Sequence, residues 1–69
     1  MDVRQRVGLN LQALRRAKAF SQEELAHRSG VHQTYLSGVE RGKRNPSVML
    51  LAKIAAALDA DVEDVVRRR

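Results

Sequence analysis

The sequence predicts an all-α protein of five helices, and three observations predict it. Apolar residues recur at three- and four-residue steps, as in Val3, Val7, Leu11 and Leu14. Polar residues suited to start a helix precede the periodic segments, Ser21 and Asp61 among them. No segment reads as a strand, a repeat or a low-complexity run. At 69 residues there is room for a single domain, 1–69, with a small core and modest stability.

The first helix is expected from about Val3 to Lys18. Gly8 inside it should weaken it by ~1 kcal/mol relative to alanine, and Leu9 lies off the apolar stripe. The second begins in the run Phe20-Ser21-Gln22-Glu23-Glu24-Leu25. Ser21 can accept the Glu24 N–H while Glu24 reaches back to Ser21, a capping box, with Phe20 and Leu25 placed as a hydrophobic staple. This helix ends at Ser29-Gly30. The third runs from about His32 to Glu40 or Arg41 and stops at Gly42. Before the fourth, either Asn45 caps with Pro46 at the first helical position, or Ser47 caps. The fourth carries Leu50, Leu51, Ile54 and Leu58 in an alanine-rich setting. Asp59-Ala60 makes a turn, and Asp61 caps a last short helix bearing Val62, Val65 and Val66.

The second and third segments, about residues 22–41, have the layout of a helix-turn-helix. Counting Gln22 as one, the small residue Ala26 is fifth and Gly30 is ninth, while Leu25, Val31, Leu36 and Val39 are fourth, tenth, fifteenth and eighteenth. A small fifth residue lets two helices approach closely. A glycine in the turn takes a left-handed conformation at no steric cost. The apolar positions fix both helices to one core.

Net charge is +5, and its placement says more than its sum. Residues 1–53 carry ten Lys/Arg against four Asp/Glu, residues 54–66 carry only the acids Asp59, Asp61, Glu63 and Asp64, and Arg67, Arg68 and Arg69 follow. A positive field over the helix-turn-helix suits a polyanion such as nucleic acid. The absence of cysteine excludes a disulfide scaffold and a thiolate metal site, and fits a reducing cytoplasm. No apolar run approaches the ~20 residues of a membrane span, and the opening MDVRQR leads into no signal-peptide segment. His27 and His32 lack a neighbouring ligand set with metal spacing, and neither Ser21 nor Ser29 has a base arranged around it. No enzyme, metal, cofactor or small-molecule ligand is therefore expected.

The chain resembles the lambda repressor-like (Xre/Cro-type) helix-turn-helix family. The resemblance rests on Leu14-Arg15, Ser21-Gln22-Glu23-Glu24-Leu25-Ala26, Gly30-Val31, Tyr35-Leu36-Ser37, Glu40-Arg41-Gly42, Pro46-Ser47 and Ala57-Leu58, and spans about Val7 to Val66. It implies a compact five-helix fold and binding to double-stranded DNA. It also implies a partly buried ion pair, Arg15 with Glu40, that fixes the recognition helix. Three positions depart from the pattern. Ser29 stands where the family is usually apolar, Asp59 where it usually has a left-handed glycine, and Gly38 where a longer side chain is common. Gly38 should weaken the third helix and remove one reader of sequence.

The candidate contacts divide by chemistry. Gln33, Thr34 and Ser37 lie on the outward, N-terminal part of the third helix, where glutamine can bond adenine N6 and N7 and the hydroxyls can serve several bases. His32 either joins them or merely caps the helix. Gln22, at the positive end of the second helix, can donate to a phosphate, as a glutamine there does in the family. Arg41, Lys43, Arg44 and Asn45 would follow a sugar-phosphate strand without reading sequence. Tyr35 either reaches a phosphate with its hydroxyl or forms a half-buried core edge. One short recognition helix reads few base pairs, so a homodimer on an inverted-repeat operator is expected, paired through Val62, Val65 and Val66. The alternative is a protein-interaction module of the same fold, an antitoxin or adaptor.

Overall fold

A computed structural model describes all 69 residues, as five helices without a strand: α1 Val3–Ala17, α2 Gln22–Ser29, α3 Gln33–Glu40, α4 Val48–Ala57 and α5 Val62–Val66. Helix α1 packs on α3 and α5, α2 on α3 and α4, and α4 on α5. One core joins them, built from Val7, Leu11, Leu25, Ala26, Leu36, Val39, Leu51, Ile54, Ala55, Leu58 and Val65. Full burial of a side chain such as Leu36 is worth about 2 kcal/mol. Val3 does not extend this stripe. It lies in the first turn of α1 and is 54% exposed.

The helix starts follow local chemistry. Asp2 caps α1, its carboxylate accepting the Arg4 N–H (2.7 Å) while Gln5 Oε1 accepts the Asp2 N–H (3.2 Å). Ser21 Oγ accepts the Glu24 N–H at 3.0 Å. The expected return bond from Glu24 is absent, because its carboxylate takes Arg28 Nε one turn on, at 2.6 Å. That i,i+4 charge pair outcompetes a neutral backbone donor. Ser47, not Asn45, caps α4 by accepting the Leu50 N–H at 3.1 Å, and Pro46 precedes the cap. Asp61 caps α5, and Asp64 Oδ2 accepts the Asp61 N–H at 2.9 Å.

The helix ends turn on left-handed residues. Gly30 (φ 74°) closes α2 and Gly42 (φ 75°) follows α3. Asp59 takes φ 54° after α4, as its place suggested, and Ala19 takes φ 58° after α1, which the sequence did not signal. A non-glycine residue in this region costs roughly 1 kcal/mol. Lys18 Nζ joins Asp59 Oδ2 at 2.9 Å, clipping these two turns together. The Lys18 ammonium, chiefly by hydrogen bonding, holds the Asp59 carboxyl below its ordinary value. The pair is open to solvent, so its contribution to the fold is small; it is present above the usual carboxylate range and is lost as pH falls through the lowered Asp59 value.

Two polar residues inside the structure are satisfied. Ser29 is buried, and its Oγ donates to the Leu25 carbonyl at 2.7 Å, so the end of α2 packs without an apolar residue there. Asn10, also buried, donates through Nδ2 to the carbonyls of Val65 (2.8 Å) and Arg67 (2.9 Å) and accepts Arg69 Nη1 at Oδ1 (2.9 Å). It closes the carboxyl end of α5 onto α1.

Candidate nucleic-acid interface

Helices α2 and α3 meet where Ala26 is buried, and the Gly30 and Val31 N–H groups both return to its carbonyl at 2.9 and 3.1 Å. This turn fixes α3 across α2. The far end of α3 is fixed by Glu40, whose side chain is 2% exposed. Its Oε2 accepts Arg15 Nε at 2.8 Å, and its Oε1 accepts Arg15 Nη2 and Gln22 Nε2, both at 3.0 Å. Arg15 Nη1 donates to the Phe20 carbonyl at 2.8 Å. The inferred ion pair is thus present and two-pronged. Gln22 is brought into it, with one amide N–H spent on Glu40 and a second remaining. At the same helix start Ser21 satisfies only the Glu24 N–H, so the Gln22 and Glu23 amides stay free for an anion.

α1 approaches α3 closely at Gly8. A methyl built there would stand 2.5 Å from the Glu40 carbonyl oxygen and 2.7 Å from that of Val39. Gln12 Nε2 donates to the same Glu40 carbonyl at 2.7 Å. Gly8 is therefore a contact surface rather than only a weak point in α1.

The outward residues of α3 carry no competing bonds. His32, Gln33 and Thr34 are exposed and Ser37 is half-buried. His32 occupies the N-cap position without a side-chain capping bond. Within the protein, the side chains of Gln33, Thr34 and Ser37 make no hydrogen bond, and the Ser37 backbone carbonyl accepts the Arg41 N–H at 3.1 Å and Arg41 Nε at 3.3 Å. Tyr35 is half-buried against the core.

The chain then turns at Gly42, which packs against Gln5, and presents Arg41, Lys43, Arg44 and Asn45 as exposed residues. None of these three cations has a carboxylate partner. Arg4, Arg15, Lys18 and Arg28 each do, with Asp2, Glu40, Asp59 and Glu24. No acidic residue lies between Arg41 and Leu58. Three cations without a carboxylate partner thus lie together beside unengaged hydrogen-bonding side chains on α3. Gly38 is no gap in this surface. It is buried, and the Arg44 side chain lies across it. The two are six positions apart, and no periodic pattern signals such a contact.

With this geometry in place, comparison with known proteins gives one answer. The Helix-turn-helix family model matches residues 11–65. The chain belongs to the lambda repressor-like (Xre-type) helix-turn-helix family. It is 48% identical over 66 residues to an uncharacterized HTH-type transcriptional regulator, y4dJ, of Sinorhizobium fredii, covering 96% of this chain and 86% of that one. Its structure is similar to that of the restriction-modification controller protein C.AhdI from Aeromonas hydrophila, with TM-score 0.87 and 44% identity over 90% of this chain and 94% of that one. It is also similar to SinR, the master regulator for biofilm formation, solved in complex with DNA: TM-score 0.81 and 38% identity, covering 86% of this chain and 95% of that one.

The C-terminal valines do not share one environment. Val65 is fully buried in the core and offers nothing to a partner, because the inward face of α5 falls on it. Val62 and Val66 remain half-buried at the surface. The exposed large apolar residues are Met1, Val3, Leu9, Val48 and Met49, none of them on α5. No helix is long and apolar enough to cross a membrane.

Proposed function

We propose that this protein is a sequence-specific double-stranded DNA-binding transcriptional regulator, acting in the cytoplasm as a repressor or autoregulator, with residues 1–69 serving as one binding unit. The observation that carries this reading is the grouping of unpaired Arg41, Lys43 and Arg44 beside the unengaged side chains of Gln33, Thr34 and Ser37. Helix α3, about 10–12 Å across with its side chains, fits the ~12 Å width of the major groove. Gln33, Thr34, Ser37 and His32 face base edges in this arrangement. The free amides at the start of α2, Gln22, Tyr35 and the 41–45 loop hold the phosphates on either side. Likeness to SinR, solved with DNA, supports the same mode.

Selection of bound duplexes from a random pool, followed by titration at several salt concentrations, tests this. A single recovered motif and an affinity that falls steeply with salt are expected. Salt-independent binding, or no enriched motif, counts against it. Within the motif, Gln33→Ala should cost ~1–3 kcal/mol and relax preference at one base pair. If selection with that variant returns an unchanged motif, Gln33 reads nothing.

The operator in this reading is an inverted repeat bound by a homodimer, with half-sites about one helical turn, ~34–36 Å, apart. Val62 and Val66 are the apolar residues left on α5 to meet a second copy. So small a patch gives a dimer that forms mainly on DNA. Sedimentation with full-site and half-site duplexes checks this, and one protein per full site, with no gain in affinity over a half-site, rejects the dimer.

A further inference from the structure

Resting on the DNA-binding reading, we infer that Gly38 is a positioning residue for Arg44: its bare backbone seats that side chain flat on the recognition helix, so that the guanidinium meets the duplex in a preset pose. A methyl built on Gly38 would stand 2.8 Å from Arg44 Cγ, 3.4 Å from Nε and 3.6 Å from Cδ. The aliphatic stem of Arg44 therefore occupies the space that a side chain at position 38 would take. Its guanidinium carbon lies 5.6 Å from the centre of the Tyr35 ring, within range of a cation–π contact. The loop is bound at the same point, with the Lys43 N–H donating to the Gly38 carbonyl at 2.8 Å. Arg44 thus has two fixed contacts on α3 although it belongs to the following loop.

The consequence is preorganisation. A free arginine in a surface loop loses many rotamers when it binds. A seated one has lost them on folding, so less of its contact with DNA is offset by ordering. The glycine also weakens the helix that carries it, since alanine would have higher helical propensity. Stability and binding therefore pull in opposite directions at position 38.

Four chains test this: wild type, Gly38→Ala, Arg44→Ala and the double variant, titrated against a mixed-sequence duplex of about two helical turns. Gly38→Ala should keep or raise the melting temperature while weakening binding about threefold to tenfold. In the Arg44→Ala background the same change should have no effect on affinity. In the DNA-free protein, the upfield ring-current shifts of the Arg44 side-chain protons over Tyr35 should vanish in Gly38→Ala. Equal losses in both backgrounds would show that the methyl meets DNA directly and overturn the proposal. So would wild-type affinity and unchanged Arg44 resonances in Gly38→Ala. A wild-type chain that binds neither this duplex at low salt nor any motif recovered by selection removes the functional reading itself. Binding that Gly38→Ala leaves intact removes only the seat.

Discussion

Glu40→Ala is expected to lower the stability of this protein by about 3–5 kcal/mol, the cost of leaving one partner of a buried pair unpaired. The side chains of Arg15 and Glu40 are 12% and 2% exposed, so water cannot replace the lost carboxylate. Three hydrogen bonds end on it, two from Arg15 and one from Gln22. After truncation the guanidinium keeps only the Phe20 carbonyl. Small proteins have about 5–15 kcal/mol in total, so much of the variant should be unfolded at physiological temperature. Equilibrium unfolding in urea measures the loss. A change below about 1 kcal/mol would mean that solvent reaches the pair and screens it. Glu40→Gln, which keeps the shape and loses the charge, should fall between the two. Arg15→Met with Glu40→Leu should recover part of the loss, because removing both charges removes the unpaired one.

The second large effect is expected from Gly8→Ala, which replaces a helix-weakening residue with a helix-favouring one and yet should destabilise by about 1–2 kcal/mol. Local propensity favours alanine by ~0.5–1 kcal/mol. Against this, the new methyl would lie 2.5 Å from the Glu40 carbonyl oxygen, where a carbon–oxygen contact needs ~3.3 Å. The obstructing atoms are backbone, so no rotamer change relieves them. Helix α1 must move away from α3, stretching the Gln12 bond to the Glu40 carbonyl and opening the core beside Val39. Overpacking of this kind costs ~1–3 kcal/mol. Urea midpoints and the amide resonances of α3 report the two parts, stability and displacement. A variant more stable than the wild type would show that the helices have room to spare.

These residues mark where the sequence was legible. Helix limits were readable because Ser21, Gly30, Gly42 and Asp61 act on backbone groups within a few positions of themselves. The helix-turn-helix was readable because its spacing reflects contacts between consecutive helices. The Arg15–Glu40 pair came from resemblance and is present; charge pattern alone does not single out two residues 25 positions apart. Other features depend on distances that no local rule encodes. Gly8 looked like a flaw in α1 because its partner is the backbone of α3. Gly38 looked like a missing reader because Arg44 lies over it only after the loop turns. Val65 reads with Val62 and Val66 as a dimer contact, and only the packing of α4 and α1 around α5 assigns it to the core. Glu24 had two plausible partners, and the charged one was taken. The residues proposed to face DNA stand out in the sequence by type and by outward placement, whereas their order along a groove belongs to a complex.

The bonds from Asn10 to Val65 and Arg67 span 55 and 57 positions. Until the segment from Val62 to Arg67 is in place, the Asn10 amide lacks these partners and the stripe of α1 that faces α5 stays uncovered. Closing a loop of that length costs more chain entropy than forming the turns and caps between neighbouring helices. A chain that stops before Val62 lacks the carbonyls that Asn10 needs and the core side chain of Val65, so it should be cleaved by protease far more readily than one that reaches Arg67.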